Sequence, residues 1–87
     1  MTTTTIIYTQ RGCRMSAEAK RLLTNNGIEY KEINVGDSSK NRAAMLVAIP
    51  GAKLTPQVIL NGTHVGGLAA LKSNPAINIH AKLAVKK

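Results

Sequence analysis

With 87 residues, the chain has the length of one small domain, spanning 1–87, with a single modest core. Twelve Lys and Arg against four Asp and Glu give a net charge of +8, which favours acidic partners; only two tyrosines and no Trp or Phe leave no aromatic platform of the kind single-strand and RNA readers use, so nucleic acid is not the expected partner. The lone cysteine rules out an internal disulfide, Met1 to Thr5 carry no signal-like segment, and no apolar run approaches the roughly 18 residues a membrane span needs, so a soluble cytoplasmic monomer is expected.

Thr4 to Thr9, with Ile6, Ile7 and Tyr8 among β-branched neighbours, reads as a buried strand, and Gln10, Arg11 and Gly12 follow as a short loop. From Ser16 to Asn26 the apolar residues Ala19, Leu22 and Leu23 recur at i, i+3 and i+4, and Gly27 supplies a left-handed stop, so a helix is expected. Ile28 to Val35 reads as a second strand, parallel to the first through a right-handed crossover. Asp37 or Ser38 caps a second helix whose apolar face is expected at Ala43, Leu46 and Val47, ending at Pro50-Gly51. Leu54 to Asn61 is a third strand, and Asn61-Gly62 turns it into an antiparallel fourth at Thr63 to Val65. Gly66-Gly67 leads into a short helical stretch at Leu68 to Lys72, and Asn74-Pro75 separates it from a last amphipathic helix expected over Ile77 to Val85.

Chemistry concentrates on Cys13. It stands at the start of the first helix, where unpaired backbone N–H groups carry about half a positive charge, and Arg11 and Arg14 flank it. Both influences favour a thiolate, the nucleophilic form of cysteine. His64 and His80 have no metal-ligand spacing to each other or to Cys13 and read as surface residues, so no metal site is expected from the chain alone.

Four segments, in this order, carry a resemblance: Tyr8-Thr9 ending the first strand, Cys13-Arg14-Met15-Ser16 after it, Thr55-Pro56-Gln57-Val58 opening the third strand, and His64-Val65-Gly66-Gly67 closing the fourth. The chain resembles the glutaredoxin branch of the thioredoxin fold. That resemblance implies an α/β architecture in which a four-stranded mixed sheet carries helices on both faces, in the order β-α-β-α-β-β-α.

The same resemblance implies a glutathione-dependent thiol–disulfide oxidoreductase, with Cys13 as catalytic nucleophile and Arg11, Gly12, Arg14, Met15 and Ser16 around it. It implies a cis Pro56, a glutathione site formed by Thr55, Pro56, Gly66, Gly67 and Leu68 with Gln10 nearby, and glutathionylated proteins as substrates, to which the net positive charge adds acidic proteins. Two positions depart from the family pattern. Ser16 stands where two-cysteine members carry the resolving thiol, which implies a monothiol Cys-X-X-Ser mechanism, and Ala69-Ala70 replaces an acidic pair that engages glutathione. Two other readings stay open: a [2Fe-2S] carrier in which Cys13 and glutathione are the ligands, and a redox-inactive module that docks an acidic partner through its basic surface.

Overall fold

Ile6, Ile7 and Tyr8 are apolar on both faces, so their strand belongs inside a sheet. In the computed structural model, which describes residues 4–78, that strand, β1 (Ile6–Thr9), lies between two others. The following elements are α1 (Arg14–Asn25), β2 (Lys31–Asn34), α2 (Ser39–Ala48), β3 (Gln57–Leu60), β4 (Thr63–Gly66) and α3 (Leu68–Ser73). The sheet order is β2-β1-β3-β4; β1 runs parallel to β2 and antiparallel to β3, and β4 returns antiparallel along β3. The thioredoxin-like order and the mixed sheet are those the sequence implies.

Strand alternation divides the core in two. On one face Ile7, Val58 and Leu60 pack against Ala19, Leu22 and Leu23 of α1, Leu71 of α3, and Ile77. On the other face Tyr8 and Val35 pack against Met45 of α2 and Ile49 just beyond it. Helices therefore cover both faces, α1 and α3 on one and α2 on the other. Among the described residues no helix is long and apolar enough to cross a membrane.

Several boundaries differ from the sequence reading, each for a hydrogen-bonding reason. The first helix begins at Arg14, because Cys13 is the extended N-cap residue and its carbonyl already accepts from Ala17 N at 3.2 Å. Ser16 thus lies within the first turn. The second strand begins at Lys31 instead of Ile28, because Ile28 N–H is taken by the helix end, donating to Leu23 O at 2.9 Å, and the parallel ladder starts where Lys31 N reaches Thr5 O. Ile28 and Tyr30 still pack on the first cluster from the connection. The third strand starts at Gln57, directly after the cis Thr55–Pro56 bond, since Pro56 has no N–H to give a ladder.

In α2 the expected apolar face is wrong. Val47 is 82% exposed and Leu46 41%, while Met45 is 1% exposed. Ser38 caps the helix, accepting from Asn41 N at 3.1 Å, and Asn41 Nδ2 donates to Asn34 O at 2.9 Å. That polar tie sets the rotation of the helix, so positions 41, 45 and 49 turn inward, four residues apart. The hairpin follows expectation: Asn61 and Gly62 both have positive φ, 51° and 85°, the pair a type I′ turn requires. The last helix expected over Ile77 to Val85 falls, from residue 79 onward, outside the described residues, as does His80.

The two faces of the sheet predict different tolerance. Leu71→Ala is expected to lower unfolding free energy by about 2–5 kcal/mol through loss of a buried side chain and the cavity left behind. Val47→Ala is expected to stay within about 0.5 kcal/mol of the parent, as exposed substitutions do. Urea denaturation of both variants checks the rotation assigned to α2.

Candidate functional site

The junction between β1 and α1 is a tight turn built on Gln10. Its carbonyl accepts from Cys13 N at 3.1 Å, with Gly12 at φ +77° completing the turn, and its own N–H donates to Ser16 Oγ at 3.4 Å. Cys13 is left half-buried at the mouth of the turn, a free thiol. Ser16 is 2% exposed beneath it.

The thiol of Cys13 is held below its ordinary pKa, first by a hydrogen bond from the Ser16 hydroxyl and next by the Ser16 backbone N–H. Partial burial pushes the other way, and the Met15 backbone N–H and the Thr55 hydroxyl add to the lowering. The helix start therefore acts at short range, first through the Ser16 hydroxyl and then through its free N–H groups. The sequence reading credited Arg11 and Arg14, and here the structure corrects it. Arg11 turns to Asp37, Nη2 to Oδ1 at 3.0 Å with its side chain 83% exposed, and neither arginine contributes to the thiol's shift. Solvated guanidinium groups are screened, whereas hydroxyl and amide donors beside the sulfur act at short range.

Thr55 comes to Cys13 from the opposite side of the molecule in sequence, at the cis bond before the buried Pro56. The β4–α3 turn closes on the same point. Gly66 has φ +123°, and a Cβ on Gly67 would stand 3.3 Å from the Pro56 carbonyl oxygen, so this close approach calls for a residue without a side chain. Gln10, Gly12, Cys13, Ser16 and Thr55 are thus brought together, with Pro56, Gly66 and Gly67 adjoining. Leu68 packs into the first core cluster, while Met15 and Arg14 face outward.

On the other flank of Cys13 lies a groove of about 490 Å³ between the first half of α1 and the edge strand β2. Thr9, 1% exposed, forms part of its lining and donates from Oγ1 to Glu32 Oε2 at 2.7 Å; Lys20 Nζ reaches the same carboxylate at 3.2 Å. The Glu32 carboxyl is held below its ordinary value, chiefly by the Thr9 hydrogen bond, with burial opposing and Lys20 assisting. Sequence reasoning missed this trio. Its signal was present in the periods: Thr9 alternates with Ile7 on the α1 face of the sheet, Glu32 is the register partner of Ile7 on the parallel strand, and Cys13, Ala17 and Lys20 recur at helical spacing. Away from the site, His64 is exposed and bonds Gln57 through Nε2 at 2.9 Å. Among the described residues no three His, Cys, Asp or Glu side chains gather as metal ligands would.

Two titrations follow. The rate of Cys13 alkylation by iodoacetamide should reach its half-maximum below the pH of about 8.5 that marks an ordinary thiol. Ser16→Ala removes the leading donor to the thiolate and should move that midpoint upward, whereas Arg11→Gln should leave it in place. For Glu32 the depressed carboxyl stabilises the fold above its unfolded pKa of about 4.3 and loses that contribution as pH falls through the folded value. The stability difference between the parent and Glu32→Gln, measured by urea denaturation, should therefore be largest near neutrality and shrink in acid.

Residues 5–65 match the family model described as Glutaredoxin. Glutaredoxin 1 of Rickettsia felis is 36% identical over 69 residues, covering 78% of this chain and 68% of the relative. Hybrid peroxiredoxin hyPrx5 of Haemophilus influenzae is 36% identical over 61 residues, covering 70% of this chain but only 24% of that longer protein. The solution structure of glutaredoxin from Brucella melitensis superposes with a TM-score of 0.68 at 36% identity, covering 83% of this chain and 77% of the other. With the family model spanning residues 5–65 and glutaredoxins more than a third identical over most of its length, the chain belongs to the glutaredoxin family of thiol–disulfide oxidoreductases.

Proposed function

We propose that this protein removes glutathione from protein thiols by a monothiol mechanism with Cys13 as the nucleophile. The observation that carries the reading is the arrangement at the sulfur: a thiol lowered by Ser16, Met15 and Thr55 donors, half-open to solvent, with a buried hydroxyl at the position of a resolving thiol. In the first step the Cys13 thiolate attacks the glutathione sulfur of a glutathionylated protein. The Cys13–glutathione disulfide forms, the substrate's disulfide breaks, and the protein leaves as a thiolate that takes a proton from water. A second glutathione thiolate then attacks the mixed disulfide, releasing oxidised glutathione and restoring Cys13. Across the cycle the substrate disulfide gains two electrons, and glutathione supplies them.

Ser16 serves both steps as a donor. Its oxygen is occupied by Gln10 N–H, which leaves the hydroxyl hydrogen for the sulfur, and it stabilises the Cys13 thiolate as attacking group and again as leaving group. The bound glutathionyl group would lie along Thr55, Pro56, Gly66, Gly67 and Leu68, with Gln10 at its other end. Ala69 is exposed on α3, directly after Leu68, so an acidic side chain restored there would face solvent at that end of the site.

Glutathione-dependent reduction of a glutathionylated model peptide tests the proposal. Wild-type protein should turn over, and Cys13→Ser should lose activity by at least about a thousandfold, the scale on which deletion of a nucleophile is felt. A wild-type protein with a lowered thiol pKa and no turnover would overturn the reading. Ala69→Asp should tighten binding of the glutathionyl group, measured as a lower KM for the glutathionylated peptide; an unchanged KM would take the ligand away from the β4–α3 turn.

A further inference from the structure

Whatever half of a disulfide settles beside Thr55 and Pro56, the polypeptide on the other half must pass over the open surface around Cys13. The groove between α1 and β2 opens there, and it shares Gln10, Cys13 and Ser16 with the thiol's own surroundings. Its remaining walls mix polar side chains, Thr9, Lys20, Glu32 and Asn34 among them, with the apolar Ala17.

The charges around this groove are one-sided. Arg11, Arg14 and Lys20 line it; Lys20 is paired with Glu32 and Arg11 with Asp37, so the charge left over at the rim is that of Arg14. Of the four acidic residues, Glu18, Glu32 and Asp37 are each engaged by a basic partner, whereas Arg14 forms no ion pair among the described residues. Arg14 also sits in the first turn of α1, which contains no acidic residue. A cation there opposes the helix dipole, at a cost to the helix that an acidic residue in the same place would remove. The nearby start of α2 repeats the pattern, with no acid in its first turn and Lys40 beside the cap. Arg11 ties the two regions together through Asp37.

We propose that the α1–β2 groove with its cationic rim is the docking surface for the polypeptide partner, and that it selects disulfides whose departing cysteine is flanked by Asp or Glu. This rests on the exchange reading above and names the substrate class of that same site. Carboxylates next to the departing cysteine meet Arg14 at the rim, the cation there that has no ion pair among the described residues. Like-charged segments are turned away, so the rim gives selectivity as well as attraction.

Two glutathionylated peptides of equal length test this, one with Glu on both sides of the cysteine and one with Lys, together with the neutral bis(2-hydroxyethyl) disulfide. At about 20 mM ionic strength wild type should act on the Glu peptide roughly tenfold faster than on the Lys peptide, and the ratio should fall toward one at about 0.5 M salt. In Arg14→Glu the ratio should invert; glutamate suits the first helical turn, and a ratio cancels any change in the thiol itself. Equal rates for the two peptides in wild type, with the neutral disulfide reduced, would overturn the docking proposal alone. A preference that persists unchanged in Arg14→Glu would also overturn it by placing recognition elsewhere. A wild type that reduces none of the three would take down the exchange reading and this inference with it.

Discussion

Gln10 is bonded through both of its main-chain polar groups, and the site depends on that. Its carbonyl receives Cys13 N–H, and its N–H goes to the hydroxyl of Ser16. One residue at the end of a central strand therefore fixes where the first helix begins and how its buried serine is oriented. A glycine at φ +77° allows the chain to make the turn. Once the strand end and helix start are locked together, free amide groups of the helix have one place to point, the sulfur of Cys13. The thiol's lowered pKa follows first from the Ser16 hydroxyl that this arrangement orients and then from the backbone amides of the helix start.

The parts of the molecule legible in its sequence are those governed by short-range rules. The Ala19, Leu22 and Leu23 stripe of α1, the stop at Gly27 and the Asn61-Gly62 turn all read correctly, because their spacing or their φ requirement leaves one answer. The order of elements followed from them. Where a polar side chain reached across the fold, the reading failed. Nothing in Ala43, Leu46 and Val47 shows that Asn41 will bind the carbonyl of Asn34 and rotate the helix, yet that bond decides which apolar residues are buried. Arg11 likewise looks like a neighbour of Cys13 until Asp37, 26 residues away, draws it aside. The Thr9, Lys20 and Glu32 cluster required three elements to be placed at once.

A core without Phe or Trp is made from many small aliphatic contacts, and the two faces of the sheet share them unequally. Among the described residues the α1 and α3 side holds eight buried core residues, the α2 side four. Ionic contacts add little to either, since the pairs found are exposed or half-exposed. The net positive charge is therefore not absorbed by the fold. It stays on the surface, where it acts on whatever approaches.

The shallow seat of α2 has a dynamic consequence. Only Met45 of the helix is buried; the remainder of its attachment is Ile49 and the polar clamp from Ser38 and Asn41. Such an element opens more readily than one gripped by a full apolar stripe, so its amides should exchange with solvent deuterium sooner than those of α1. Because Asn41 holds the Asn34 carbonyl and Asp37 stands in the turn between them, each opening releases the end of β2 beside the Arg11–Asp37 pair. Local unfolding of a helix that never touches the sulfur would then change, for its duration, the electrostatic surface that an incoming disulfide meets.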